Sequence, residues 1–557
     1  MRRFTTLLLS TALCLSCTTT NKNKPAEKIT KDTEKIVIYQ LVPRIFGNSN
    51  LNNKVAGTYA ENGSGKLNDV TVEALAAIKD LGATHVWYTG VIQQATKTDW
   101  SAYGIPQQNP DVVKGEAGSP YSIADYYAVN AELAVDPARR MEEFEALVKR
   151  THEAGLKVML DFIPNHVARE YHSVMGFAED FGAKDDTSVA FKASNNFYYI
   201  PDKELDMSGI LENTAYKENP AKVSGNDVFS EKPSVDDWYE TVKLNYGVNP
   251  EDGSKHFDPI PDTWTKMVDI LKYWTAKGVD GFRCDMAFMA PVEFWNYATK
   301  TLTEINPELL FVAEIYDPTL YASYVDEGGF DYLYDKVELY DSIRAVVEGK
   351  RPASIISSVF KLPTYNTFVK GHMLNFLENH DEQRIASDFF GGSPEAGRPA
   401  LAVSALCNAN PFMIFYGQEL GEPSMDEEGF QGADGRTTIF DYWGLARLAE
   451  YKAQNYDITK MPEEAQNIHW AVKNILDTAK NSDAALNGDF IDLTDDVKAK
   501  YDRDAVFAFV RRSEKETLIV VANFSGEEQS FKLSAGDISS EDVEAIVGAK
   551  AYVTIAK

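Results

Sequence analysis

Short apolar runs alternate with longer segments of helical spacing along most of this chain. Residues 36–41 form a buried-strand pattern, closed by Pro43 and Gly47. Residues 70–81 carry Leu75, Ile78 and Leu81 at helical spacing, and Gly82 ends them. A second strand pattern covers residues 84–88, followed by a loop rich in Gly, Pro and Gln at 89–120. Asp136-Pro137 opens a helix, with Asp as N-cap and Pro in the first turn. Met141, Phe144 and Val148 line its face, Gly155 stops it, and residues 157–161 make a third strand. Strand, helix, strand, helix, strand predicts parallel strands joined by helical crossovers.

The rhythm breaks at residue 167. Residues 167–256 lack a long periodic helix and are rich in turns and aromatic residues, too long for an ordinary connection. They read as an inserted subdomain. Its Trp and Tyr residues, Tyr198, Tyr199, Trp238, Tyr239 and Tyr246, are expected mostly in its own core, with sugar platforms as the rival role. The rhythm resumes at Asp262, a candidate N-cap, with Met267, Ile270, Leu271 and Trp274 on one helical face. Strand patterns follow at 279–284, 309–314, 330–333, 373–377 and 412–416. Eight strand–helix units place the chain in the α/β class as a (β/α)8 TIM barrel, built from residues 34–166 and 257–487. Residues 488–557 change texture: 505–510, 517–524 and 529–533 are strand-like with turns between them. A C-terminal antiparallel β-sandwich is expected there.

The chain has 557 residues and a net charge of −29, which argues against nucleic acid as a partner. Two of its four cysteines, Cys14 and Cys17, lie near the start, so a disulfide framework is absent. Arg2 and Arg3, a short apolar run and Ser16-Cys17 resemble a bacterial lipoprotein signal over residues 1–17. Cys17 is then the lipidated residue and 18–33 a polar tether. Cys14 departs from the usual Leu there, and an ordinary signal peptide is the alternative. The expected location is outside the cytoplasm, periplasmic or at the cell surface, with membrane attachment through the lipid.

The candidate chemistry sits at strand ends. The fourth strand reads Gly281-Phe282-Arg283-Cys284-Asp285. Alternation turns Arg283 and Asp285 one way and Phe282 and Cys284 the other. Buried charges are costly unless paired or used. The third strand ends in Asp161, Asn165 and His166, the fifth in Glu314, and the seventh in Glu378-Asn379-His380-Asp381. In a barrel these ends share one rim. Paired carboxylates suit glycosidic cleavage. A Gly-rich phosphate loop is lacking, and Arg283 beside Asp285 opposes a catalytic cation.

In that order, DFIPNH (161–166), GFRCDMA (281–287), AE (313–314) and FLENHD (376–381) resemble the four signature regions of the α-amylase superfamily, glycoside hydrolase family 13. Lys243-Leu244-Asn245 and Tyr416-Gly417-Gln418-Glu419 resemble two further family stretches. The resemblance implies Asp285 as nucleophile, Glu314 as general acid/base and Asp381 as the third acid. It implies Arg283 keeping Asp285 ionised, with Asp161 orienting Arg283. It implies His166 and His380 as donors to sugar hydroxyls and Tyr121 as a stacking ring. No cofactor is required. A calcium ion at Asn165 is a further implication, weakened because Phe288 and Met289 replace the family's Lys-His pair. The same replacement suggests a more apolar acceptor side. The implied activity is retaining hydrolysis of α-1,4-glucosidic bonds in starch or malto-oligosaccharides. Transglycosylation is the alternative, and non-catalytic glycan binding a more distant one.

Overall fold

A computed structural model describes residues 34–423, 429–430 and 432–557. The expected signal, Cys17 and the tether lie outside the described residues. Eight parallel strands close into a barrel in sequence order. They are β1 (Val37–Leu41), β2 (His85–Tyr88), β3 (Lys157–Phe162), β4 (Gly281–Cys284), β5 (Leu310–Ala313), β6 (Tyr332–Tyr334), β7 (Met373–Phe376) and β8 (Phe412–Phe415). Their ends fall within two residues of the expected ones.

Period-two alternation divides each strand between two apolar clusters. Ile38, Trp87, Met159, Val312, Leu374 and Met413 fill the barrel interior. Phe282 and Cys284 face the main cluster shared with the helices, as expected. Thr71 caps helix α1 (Val72–Asp80) by accepting from the Ala74 amide. Asp136 caps a single 3-10 turn, Pro137–Arg139, that leads into helix α2 (Arg140–Glu153). Asp262 departs from expectation. It is the first residue inside helix α3 (Asp262–Ala276), and Pro261 holds the N-cap position. Its carboxylate instead accepts from Asn196 at 3.0 Å and pairs with Lys266 at 2.9 Å, tying α3 to the insertion.

The loop after β2 is more ordered than its composition predicts. Ile92–Gln94 pairs antiparallel with Ile123–Val129, with register shifts along the pair. Three apolar or amide residues between turns carry no clear periodicity. The insertion is built from two small antiparallel pairs, His166–Ala168 with Thr241–Lys243 and Tyr199–Ile200 with Ala221–Lys222.

The C-terminal strands are β9 (Asp489–Asp492), β10 (Ala499–Lys500), β11 (Val506–Arg512), β12 (Thr517–Asn523), β13 (Gln529–Leu533), β14 (Val543–Val547) and β15 (Ala551–Ala556). They form a four-stranded sheet, β9-β11-β12-β15, and a three-stranded sheet, β10-β13-β14. Ala508, Val510, Ile519 and Val521 pack in the cluster between the sheets. The alternate residues Phe507, Phe509, Leu518 and Val520 join the barrel's main cluster.

Candidate active site

The alternation that fills the barrel also delivers polar groups to its rim. On β3, Met159 faces inward and Asp161 follows two positions later. On β4 Arg283 pairs in register with Asp161 on one side and Val312 on the other. Two residues past Val312, beyond the end of β5, stands Glu314. Register alone therefore brings a guanidinium and two acids together, with Asp285 just beyond.

Arg283 is 1% exposed and joins the acids. Its Nη1 donates to Asp285 Oδ1 at 2.8 Å and lies 3.6 Å from Asp161 Oδ1. Nη2 lies 2.7 Å from Glu314 Oε2. That contact is one of charge, since Nη2 makes no aligned hydrogen bond among the described residues. Nε donates to the Tyr334 hydroxyl at 3.2 Å. The rings of Trp87 and Tyr121 lie 5.4 Å from the guanidinium carbon and that of Tyr334 5.5 Å. Aromatic faces and carboxylates replace the water that burial removes.

Burial pushes the carboxyl of Asp285 up, and Arg283 opposes it by both charge and hydrogen bond. Glu314 is raised by burial, with Arg283 opposing and the Asp285 charge adding to the push. Asp381 is raised well above the carboxylate range by burial and then by Glu314. A third of the Asp381 side chain opens on the cleft, and solvent there tempers the effect. Asp161 is pushed up to about 7, chiefly by burial, against the pull of Arg283. It accepts from Trp87 Nε1 at 2.9 Å and from the Tyr121 hydroxyl at 3.3 Å.

Burial disfavours the charged form of both histidines. His166 is pushed down to about 3 by burial and by Lys243. His380 is pushed down by burial and by Arg283. The Gln40 amide donates to His380 Nδ1 at 2.9 Å, which leaves the proton on Nε2. That nitrogen faces the Tyr121 hydroxyl and lies 3.1 Å from Asp381 Oδ2.

The three acids, both histidines and Tyr121 line one cleft of about 780 Å³. Asp161 and Arg283 sit behind that lining and act through the residues they touch. Trp238, Tyr239, Tyr316 and Phe440 also line it, and the sequence does not single them out as site residues. Trp238 and Tyr239 are half-buried at the cleft wall, and Tyr239 also packs against the insertion's own small cluster beside Leu205, Met207 and Tyr216; Phe197, Tyr199 and Tyr246 are buried in the main cluster shared with the barrel, not in a core of the insertion's own. Tyr316 has a legible signal: it lies two positions after Glu314, and so on the same side of an extended chain.

Phe288 and Met289 do not line the cleft; Met286 does. Met286 takes a left-handed φ of 40°, and the 3-10 turn Ala287–Met289 folds back. Phe288 then packs against the main core. The aromatic part of the cleft wall is built by Trp238, Tyr239 and Phe440 instead.

Asn165 faces a cation of a different kind. Its Oδ1 accepts from Lys243 Nζ at 2.5 Å. The same ammonium lies 2.8 Å from Asp227 Oδ1 and 3.4 Å from the Met289 carbonyl. Calcium takes six to eight oxygens; here three converge on a point already held by a buried positive charge. The donor set does not fit calcium. Among the described residues no group of three or more His, Cys, Asp or Glu gathers as a metal site.

The chain belongs to the α-amylase superfamily, glycoside hydrolase family 13: the alpha amylase catalytic domain family matches residues 40–469. The C-terminal domain family of the alpha-amylase SusG matches residues 506–553. Alpha-amylase 3 of Dictyoglomus thermophilum is 25% identical over 455 residues, 77% of this chain and 79% of that one. A cyclic alpha-maltosyl-(1→6)-maltose hydrolase from Arthrobacter globiformis shares the fold at a TM-score of 0.64 and 17% identity, over 94% of this chain and 98% of that one. An alpha-amylase from Geobacillus thermoleovorans complexed with acarbose does so at 0.60 and 19%, over the same shares. The fold and family make this protein a glycoside hydrolase.

Proposed function

We propose that the protein is a retaining hydrolase of α-1,4-glucosidic bonds in starch or malto-oligosaccharides. One observation carries this reading: a single buried guanidinium, Arg283, contacts both Asp285 and Glu314 at the cleft. Arg283 favours the carboxylate form of Asp285, which attacks the anomeric carbon as the glycosidic bond breaks. Glu314, raised by burial, gives its proton to the leaving oxygen. The product is an ester between Asp285 and the sugar. Glu314, now a carboxylate, takes a proton from water, whose oxygen displaces Asp285 and restores the original anomeric configuration. His166 and His380 suit donation to sugar hydroxyls, and Asp381 suits accepting from them. The acarbose-complexed relative supports an α-glucan ligand.

Reducing-sugar release from starch and maltoheptaose tests the reading, with Asp285→Asn as control. Absence of turnover on any α-glucan, or undiminished turnover in the variant, overturns it. The aromatic wall of Trp238, Tyr239 and Phe440 favours a second reading, transfer to an acceptor sugar. Products longer than the substrate, formed before glucose or maltose, mark that activity.

Two further elements belong to this reading. Lys243 serves as an internal cation that joins the insertion to the barrel, so calcium is not required. Export and lipid attachment at Cys17 rest on residues 1–33 alone. Metabolic labelling with a radioactive fatty acid, lost in Cys17→Ala, tests the attachment.

A further inference from the structure

The two oxygens of Glu314 have different surroundings. Oε2 accepts from the Met286 amide at 2.8 Å and lies 2.7 Å from Arg283 Nη2. Oε1 accepts from the hydroxyl of Tyr316. With Oε2 turned inward to those two groups, Oε1 is the oxygen left to meet a leaving group. The Tyr316 ring lines the cleft and packs against the barrel-interior cluster, which fixes where its hydroxyl points.

We infer that Tyr316 is a positioning residue for Glu314, its hydroxyl holding Oε1 toward the leaving-group position until the first acceptor-side sugar displaces it. The inference rests on the hydrolase reading for its kinetic consequences but not for its chemistry. A hydroxyl that donates to Oε1 favours the carboxylate, and so opposes the upward push of burial on Glu314. Besides the Met286 amide, the titratable and charged groups that act on Glu314 are Arg283 on β4, Asp285 just after it, Asp381 after β7, His166 after β3 and Tyr334 on β6. Tyr316→Phe keeps the ring and leaves all five in place.

The test is an infrared titration of the carboxyl band in substrate-free protein, assigned to Glu314 by its loss in Glu314→Gln. In Tyr316→Phe that band should titrate about one pH unit higher. An unmoved band overturns the inference, whether or not the protein cleaves maltoheptaose. In the same variant the basic limb of kcat/KM on maltoheptaose should shift upward equally. There kcat should fall about tenfold, and by less than about threefold on 4-nitrophenyl α-maltoside, whose leaving group needs little acid assistance. Equal losses on both substrates with an unmoved basic limb would mark a packing role only, and also overturn it.

Discussion

Lys243 donates to Asn165 across the seam between the insertion and the barrel, 2.5 Å from the amide oxygen. The seam is therefore held by a cation that cannot be chelated. We expect EDTA to leave both activity and thermal midpoint unchanged. Lys243→Ala removes the ammonium from between Asn165 and a half-exposed Asp227, and should cost about 1–3 kcal/mol. Thermal melts with and without EDTA and calcium check both outcomes. A wild-type enzyme inactivated by EDTA would rule out the internal-cation role.

Replacing Arg283 by Lys keeps one charge but loses the geometry. A single ammonium cannot reach Asp285, Glu314 and the Tyr334 hydroxyl together. We expect kcat to fall by about 10²–10³ while the variant stays folded. Steady-state kinetics beside far-UV circular dichroism separates this from unfolding. Retained activity would mean that the guanidinium fork is dispensable.

Glu419 provides a pH test away from the cleft. It is pushed up to about 7 by burial; its Oε1 accepts from Tyr39 at 2.7 Å, and its Oε2 has no partner among the described residues. In the unfolded chain a Glu titrates near 4. The native state thus holds a proton that the unfolded state releases between about pH 4 and 7. Its stabilising contribution is complete below that window and is lost as pH rises through it. Buried His166 and His469, pushed down to about 3 and 4, act in the opposite sense. The measurement is therefore a difference. Glu419→Gln should gain stability relative to wild type from pH 5 to pH 8, by on the order of 2–3 kcal/mol. A difference that does not change with pH would contradict it.

Trp238 stands at the cleft wall with its ring 5.2 Å from that of His166. We expect Trp238→Ala to raise KM for maltoheptaose about five- to tenfold, with kcat changed less. Unchanged KM with a lowered melting point would return Trp238 to a packing role.

How far the sequence alone carries depends on the distance over which each feature is decided. The sides taken by Arg283 and Asp285 against Phe282 and Cys284 follow from alternation within five residues, and the structure agrees. The barrel strands are legible for the same reason. Asp161 beside Arg283 needs the register of two strands 122 residues apart, which spacing alone does not supply. Lys243 is quoted in a motif, yet its task depends on Asn165, Asp227 and Met289 from three other segments. Phe288 and Met289 are read as facing the acceptor side until the left-handed turn at Met286 reverses them. Trp238 lies in a loop without periodicity, where an aromatic ring looks the same whether it meets a core or a sugar.

The C-terminal strands β11 and β12 have a consequence for the chain as a whole. Phe507 and Phe509 belong to the barrel's cluster, while Ala508 and Val510 belong to the sandwich's own. The border near residue 488 divides the sequence but not the cohesion of the protein. Cutting there would leave the barrel with a bare greasy wall and the sandwich with one face of β11 and β12 unsheltered. The two modules should therefore melt in a single transition, and neither should be obtainable in soluble form alone.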